Sequence, residues 1–247
     1  MIVERLLNRI LRLVCGEAYL NAKNKRKAIE RLHKYGDEVI HKIMKIERET
    51  GTQFDLSFGT LLGAYREHGF IAHDDDVDLI MEIKYLSVEL LGALRNEGFE
   101  LNELFITSDY RGCQLPMKYK GLTCDIYVTY IEPDGHYHTY VPHPIYDMDW
   151  AYCGKINLYK SRDIIIPYFS NRVEQDYNGY KVLIPENSKE ILSHTYGEDF
   201  MTPKKGVITK VAETSMSQQF FVSMPLSEVL NEGVIEKLKQ YTKTDRQ

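Results

Sequence analysis

Four aspartates lie within five consecutive positions of the chain, at Asp74, Asp75, Asp76 and Asp78. Carboxylates this close together repel one another, so a fold tolerates them only where something neutralises them. Asp76 and Asp78 alternate with apolar residues, and positions i and i+2 of a strand face the same side. Converging carboxylates are hard oxygen ligands of the kind that Mg²⁺ or Mn²⁺ prefers. The spacing therefore predicts a divalent-cation site on Asp76 and Asp78. Asp74 and Asp75 could hold a second metal or simply order the turn.

A third candidate carboxylate is Asp125, the only charge in the apolar run 123–127. A buried strand aspartate needs a partner, and a shared metal ion would provide one. A backbone cap, or a lysine such as Lys118 or Lys120, would satisfy it equally well. The sequence alone leaves these interpretations open.

Gly59 and Thr60 follow a short strand-like run and open a helix, some fifteen residues before the acids. Backbone amides at a helix N-terminus suit a phosphate. Arg66, one to two turns further along, could add a bidentate phosphate contact. We therefore expect Gly59, Thr60 and Arg66 to bind a substrate phosphate.

Other interpretations of the acidic run are a solvated turn, an EF-hand loop or a His–Asp metal hydrolase. An EF-hand is excluded, because counting from Asp74 places Leu79 where Gly is required and Tyr85 where Glu is required. The hydrolase would use His73 beside Asp74, but the other histidines show no matching arrangement. A solvated turn stays open on this run alone.

Periodicity predicts an α+β fold: a mixed β-sheet with flanking helices, preceded by N-terminal helices. We expect helices at 1–14, 25–49, 61–67, 85–97, 188–196 and 225–241, and strands at 54–58, 77–83, 99–106, 112–119, 122–130, 164–166 and 180–184. Asn187 and Glu190 resemble a capping box. The expected organisation is an N-terminal helical segment, 1–50, and a catalytic domain, 51–247, with an irregular insertion or lid at about 131–163.

The 247 residues carry a net charge of −5, which argues against nucleic acid as a partner. Apolar runs are too short for a membrane span, no signal peptide is expected, and the four cysteines form no C-x-x-C pair, so we expect a reduced, cytoplasmic protein. Residues 1–28 hold seven basic and two acidic side chains. An amphipathic helix at 2–14 would pack on the domain or on a partner subunit, or contact the inner face of the plasma membrane.

The runs Gly-Thr-Leu-Leu-Gly-Ala-x-Arg (59–66) and Gly-Phe-Ile-x-x-Asp-Asp-Asp-Val-Asp (69–78) closely resemble the LicD family. This is the bacterial phosphocholine-transferase-like group related to fukutin and fukutin-related protein, within the polymerase-beta-like nucleotidyltransferase fold. The resemblance extends from about Asp55 to Pro203, and its later part is 182–185 followed by Tyr-Gly-Glu-Asp-Phe at 196–200. One departure is Ala72-His73, where family members usually carry Pro-Trp.

The resemblance implies metal-dependent transfer of a phospho-substituent, typically phosphocholine from CDP-choline. The acceptor would be a hydroxyl of a cell-surface glycan (lipopolysaccharide, teichoic acid or capsule) or its lipid-linked precursor. It implies the metal ligands Asp76 and Asp78, a third carboxylate at Asp125, and donor-phosphate contacts at Gly59, Thr60 and Arg66.

Two alternatives to phosphocholine transfer are open. One is a transferase of the same fold that moves a nucleotidyl, glycerol-phosphate or ribitol-phosphate unit. The other is a non-enzymatic binding or scaffold relative. The retention of Asp76, Asp78 and Asp125 argues against this second alternative. Choline recognition would need an aromatic cage, and several aromatic residues lie in or near the insertion: Tyr130, Tyr137, Tyr140, Tyr146, Trp150 and Tyr152. They would form this cage, or they are ordinary core and surface aromatics.

Overall fold

The structure, a computed structural model, describes residues 2–145, 153–154, 156–203, 216–231 and 233–244; of residues 2–20, 216–219 and 241–244 it describes the backbone alone. The helices are α1 Ile2–Thr50, α2 Phe58–Arg66, α3 Val88–Asn96, α4 Ser188–Tyr196, α5 Leu226–Asn231 and α6 Val234–Thr244, with a 3₁₀ turn at Ile83–Tyr85. The strands are β1 Asp55–Leu56, β2 Asp76–Glu82, β3 Glu103–Thr107, β4 Cys113–Tyr119, β5 Leu122–Ile131, β6 Tyr137–His143, β7 Tyr159–Ile166, β8 Arg172–Tyr177, β9 Tyr180–Pro185 and β10 Met216–Pro225.

The main sheet has the strand order β1-β2-β5-β4-β3-β10-β7-β6, and β6 pairs with β5 as well as with β7. Six strands, β5-β4-β3-β10-β7-β6, therefore close into a barrel. Thr129 of β5 pairs with both Glu82 of β2 and Thr139 of β6, so β2 extends from the barrel on the edge of β5 opposite β6. The α+β class is confirmed, and the sheet is mixed because β2 and β5 are parallel while the other pairs are antiparallel. Instead of a nucleotidyltransferase-like sheet, it forms a closed barrel with a two-strand extension. A separate hairpin of β8 and β9 completes the strands of the described ranges.

The hydrophobic core lies between this sheet and helices α1 and α3. Alternate residues of β5 are buried on the core side, among them Cys124 and Ile126, as are Val77 and Leu79 of β2. The second half of α1 contributes a buried stripe at helical spacing, made of Leu32, Val39, Ile40, Ile43 and Ile46. Burial of this stripe makes the second half of α1 part of the core that supports β2 and β5.

Helix α1 is one continuous helix of 49 residues, not the two helices that the sequence pattern predicted. Polar contacts tie its second half to the domain: Lys42 donates to Glu97 at 2.9 Å, and Glu47 pairs with Arg172 at 2.9 Å. The predicted amphipathic face at 2–14 concerns side chains that lie outside the described residues. Across the described ranges, none of the helices combines the length and apolar character that a membrane span requires.

Three local predictions differ from the structure. The segment 131–163 is not wholly irregular, since β6 and the start of β7 lie within it and form two strands of the barrel. Asn187 caps α4 without a side-chain bond to a helix amide: its Nδ2 donates to Glu190 at 3.1 Å, and its Oδ1 has no hydrogen-bond partner among the described residues. The last predicted helix is two helices, α5 and α6, separated at Gly233, whose φ of 64° is a left-handed conformation that glycine tolerates.

Candidate active site

Strands β2 and β5 run parallel and bring the predicted carboxylates together. Their register pairs Asp78 with Asp125 and Asp76 with Thr123. Since side chains two residues apart on a strand share a face, Asp76, Asp78 and Asp125 all lie on the same face of this strand pair. The three aspartates predicted from separate parts of the sequence thus form one carboxylate centre.

The turn that leads into β2 adds two more acids to this centre. Oxygens of Asp74, Asp75 and Asp76 lie within 4.8 Å of one another. Two oxygens bound to one Mg²⁺ are at most about 4.2 Å apart, twice the Mg–O distance, so small side-chain rotations would suffice to share an ion. Within the described part of the chain, Oδ1 of Asp78 is buried without a hydrogen-bond partner. This set of hard oxygen donors fits Mg²⁺ or Mn²⁺.

The electrostatics of the centre favour a bound cation. Burial raises the pKa of Asp125 to about 7. Burial, followed by the charges of Asp74, Asp75 and Asp125, raises the pKa of Asp76 to about 7. The pKa of Asp78 is also raised, first by its burial and then by Asp76 and Asp125. Carboxylates with such pKa values hold protons near neutrality unless a cation replaces them.

A cavity of about 620 Å³ adjoins the carboxylates and is walled mainly by barrel strands. Asp74, Asp78 and Asp125 line it together with Gly59. The rest of the lining is Phe58, Phe105, Gln114, Pro116, Thr123, Tyr127, Val141, Pro142, Arg162, Ile164 and Tyr196. Its volume is in the range of sites that hold small molecules and nucleotides.

Gly59 and Thr60, at the start of α2, both touch the carboxylate centre. A Cβ added to Gly59 would lie 2.5 Å from Oδ2 of Asp74, so the absence of a side chain lets that carboxylate approach the helix. Thr60 is 1% exposed, and its Oγ1 accepts the backbone N–H of Asp78 at 2.9 Å. The pair therefore shapes the positions of Asp74 and Asp78.

Arg66, predicted to bind a substrate phosphate, has protein acceptors in the structure. Its Nη1 donates to the carbonyl of Phe200 at 2.9 Å and its Nε to Glu67 at 2.8 Å. It does not line the cavity, and its guanidinium links α2 to the turn after α4. These acceptors hold its side chain, and its contact with a substrate phosphate stays a prediction.

The lining residues that were not singled out as site residues from the sequence include four with long polar or phenolic side chains: Gln114, Tyr127, Arg162 and Tyr196. Hydrogen bonds from Tyr127 to Asp78 and from Gln114 to Asp125 act against the burial that raises the pKa of each carboxylate. Tyr127 follows Asp125 by two residues on one strand, so the same-face rule could have identified it. Tyr196 lies in the Tyr-Gly run already noted, whereas Gln114 and Arg162 depend on strand pairing that carries no local signal.

The choline cage expected near the insertion is not formed by the tyrosines that the structure describes there. Tyr130, Tyr137 and Tyr140 are buried at 1%, 3% and 7% exposure and do not line the cavity. Tyr146, Trp150 and Tyr152 lie outside the described residues. The aromatic rings that do line the cavity are those of Phe58, Phe105, Tyr127 and Tyr196.

Fold and site define an α+β protein with a carboxylate centre on two parallel strands beside a barrel cavity. Residues 51–153 match the family model described as LicD/FKTN/FKRP, nucleotidyltransferase domain. This segment is thus a LicD-type domain, as its motifs predicted. The family indicates a transferase of the phosphotransferase type that modifies glycans. The match includes all five aspartates and ends before Arg162 and the Tyr-Gly run; among curated proteins there is no significant match.

Proposed function

We propose that this protein transfers phosphocholine from CDP-choline to a hydroxyl of a cell-surface glycan or of its lipid-linked precursor, with the help of Mg²⁺ or Mn²⁺. One observation carries the proposal: carboxylates from β2 and β5, which both lie in the segment that matches the family, converge on a cavity. Phosphoryl transfer depends mainly on positioning and charge neutralisation, and a carboxylate-bound cation beside a substrate cavity serves both needs.

Asp76 and Asp78 would hold the cation, completed by Asp74, Asp75 or Asp125. A bound divalent ion would supply positive charge to the diphosphate of the donor and to the leaving nucleotide. The Asp125 carboxylate would accept the proton of the attacking hydroxyl. This role applies where Asp125 is not itself a ligand of the cation.

The remaining lining residues would orient these groups and the substrate. Tyr127 donates a hydrogen bond to Asp78 and so restricts that carboxylate's rotation. Aromatic faces attract quaternary ammonium groups. The rings of Phe58, Phe105 and Tyr196, with that of Tyr127, would therefore provide the contact with choline that the sequence assigned to other tyrosines.

The test is release of CMP from CDP-choline in the presence of Mg²⁺ and a glycan acceptor. We expect Asp76→Asn and Asp78→Asn each to lower the rate by at least about 100-fold, since each removes a candidate ligand and ligand geometry is strict. Melting temperatures should not fall, because each substitution relieves charge repulsion. Asp176→Asn is the matched control: Asp176 is 73% exposed and paired with Lys181, far from the lining.

Full activity of Asp78→Asn, or of wild-type protein in excess chelator, would contradict the metal-dependent mechanism. CDP-glycerol and CDP-ribitol should be assayed in parallel. Release of CMP from one of these and not from CDP-choline would retain the reaction class but change the transferred group.

We also propose that the protein acts in the cytoplasm and contacts the inner membrane surface through residues 2–14, where a lipid-linked acceptor would be found. The support is the local excess of five positive charges over residues 1–28, since basic residues favour anionic leaflets. Flotation with anionic liposomes tests this idea. Binding should weaken with salt and disappear when residues 1–20 are deleted.

A further inference from the structure

Arg162 introduces a positive charge into the cavity on a wall distinct from the carboxylate centre. It lies on β7 and lines the cavity with Ile164, two residues further along the same strand. Its Nε is buried and has no hydrogen-bond partner among the described residues. A guanidinium remains charged at any physiological pH, so the cost of burying its charge cannot be avoided by loss of a proton.

Other partly buried arginines of this chain are paired. Arg172 donates to the carboxylate of Glu47 at 2.9 Å and to the carbonyl of Phe54 at 3.3 Å. Arg66 bonds to a carbonyl and a carboxylate in the same way. Of these three arginines, Arg162 is the one that lines the cavity, and its Nε has no hydrogen-bond partner among the described residues. A charged group in such a position needs a partner from outside the chain.

The strand register relates Arg162 to the carboxylates. Thr129 of β5 pairs with Thr139 of β6, which pairs with Ile164 of β7. Two strand spacings, about 10 Å, separate the β5 and β7 backbones at this level. No ion pair between Arg162 and the acids is recorded in the described part of the chain, so the cavity has a negative wall at β2 and β5 and a cationic group at β7.

We propose that Arg162 is the phosphate-binding arginine of this cavity, a role that the sequence assigned to Arg66. The proposal rests on the proposed function, in which a cation held by the carboxylates would supply positive charge on one side of the substrate phosphate. The guanidinium of Arg162 binds oxygens of a substrate phosphate from the other side, in the bidentate geometry that arginine forms with phosphate. The phosphate belongs to the nucleotide donor or to a phosphorylated acceptor, and these share the same chemistry.

Binding of three probes by isothermal titration calorimetry tests this role: inorganic pyrophosphate, CDP and glycerol 3-phosphate, each with Mg²⁺. Arg162→Gln should weaken pyrophosphate binding at least 10-fold, and Arg162→Lys should restore only part of it because ammonium lacks the planar fork. Lys181→Gln is the control for loss of a unit charge, since Lys181 is 55% exposed and pairs with Asp176. Loss confined to CDP identifies the donor phosphate, and loss confined to glycerol 3-phosphate identifies the acceptor phosphate.

Thermal unfolding without ligand separates substrate binding from a structural role. If Arg162 serves a substrate, Arg162→Gln melts at the wild-type temperature or above it, because an unpaired buried charge has been removed. A lower melting temperature, unchanged probe affinities in Arg162→Gln, or no binding of any probe to wild-type protein overturns the proposal. Binding that needs Arg162 but neither Mg²⁺ nor Asp78 would instead reject the metal-dependent function while retaining the arginine's role.

Discussion

Replacement of Thr60 by valine tests whether α2 positions the carboxylate centre. The Thr60 hydroxyl oxygen accepts the backbone N–H of Asp78 at 2.9 Å, and Thr60 is 1% exposed. Valine has nearly the same shape but offers no acceptor, so the Asp78 amide loses this hydrogen bond. An unsatisfied buried N–H costs about 1–3 kcal/mol. For a chain of this length that corresponds to a fall in Tm of roughly 2–12 °C.

The same substitution should weaken the cation site. Loss of the bond frees the backbone at Asp78, whose carboxylate is a proposed ligand, so we expect the Mg²⁺ dissociation constant to rise at least about 10-fold, or about 1.4 kcal/mol. Thr60→Ser is the matched control, because it retains the oxygen and loses a single methyl group, worth about 1 kcal/mol. Its Mg²⁺ affinity should equal that of wild-type protein.

Urea denaturation and Mg²⁺ titration by calorimetry measure both effects on the same samples. Protection of the Asp78 amide against hydrogen exchange gives a direct readout of the bond, and it should fall in Thr60→Val alone. If Thr60→Val changes stability by less than about 0.5 kcal/mol and binds Mg²⁺ as wild-type protein does, the helix does not position Asp78 through this bond.

Contacts around the site and in the barrel predict three other outcomes. Gly59→Ala places a Cβ 2.5 Å from Oδ2 of Asp74 and should lower Mg²⁺ affinity in calorimetry. Gly92→Ala, with no atom within 4 Å of its added Cβ, is the control and should not lower it. Equal Mg²⁺ affinities in the two variants would contradict the close approach of Asp74 to the helix. Arg66→Gln should lower Tm by a few degrees without changing the KM for the donor; the reverse pattern would restore its phosphate role. Burial alone would lower the pKa of His138, but its two aspartate partners raise it to about 9. Because this exceeds the value of 6.5 for an unperturbed histidine, its stabilisation is complete below pH 6.5 and is lost as pH rises through 9. Urea denaturation from pH 6 to 10 should therefore show a decline in stability that His138→Gln removes, and an unchanged decline would exclude His138 as its source.

Sequence alone could predict the carboxylate centre because its determinants are local. Alternation of Asp76 and Asp78 with buried residues marks a strand with one polar face, and Asp125 interrupts an apolar strand in the same way. The pairing of Asp78 with Asp125 is not local, but two half-buried strands with acids on one face have few other ways to satisfy those acids.

The barrel could not be predicted, in part because β6 lacks the alternation of a half-exposed strand. The first four residues of β6 are all buried, so no polar face marks them as a strand. Closure also depends on pairs that are remote in sequence, such as Phe221 with Thr107 and with Tyr159. For the same reason the cavity, and Arg162 within it, was not accessible to sequence patterns.

The two arginines illustrate where periodicity stops being informative. Helical spacing correctly places Arg66 on the helix that Gly59 and Thr60 open, but it does not determine which way a long side chain turns. The carbonyl of Phe200, 134 residues away, determines that direction. A motif therefore predicts the element that carries a residue more reliably than the partner that the residue contacts.

The side chains of strand β5 alternate between a face that packs in the core and a face that lines the cavity. Leu122, Cys124, Ile126 and Val128 are fully buried in the core, whereas the odd-numbered positions 123, 125 and 127 line the cavity. Since the same strand pairs with β2 on one edge and with β4 and β6 on the other, it joins the carboxylate centre to the barrel wall. A shift of β5 by one residue would exchange the two faces and remove core and site together. The packing that stabilises β5 therefore also fixes Asp125 opposite Asp78, and core substitutions on this strand should impair the site through register as well as through stability.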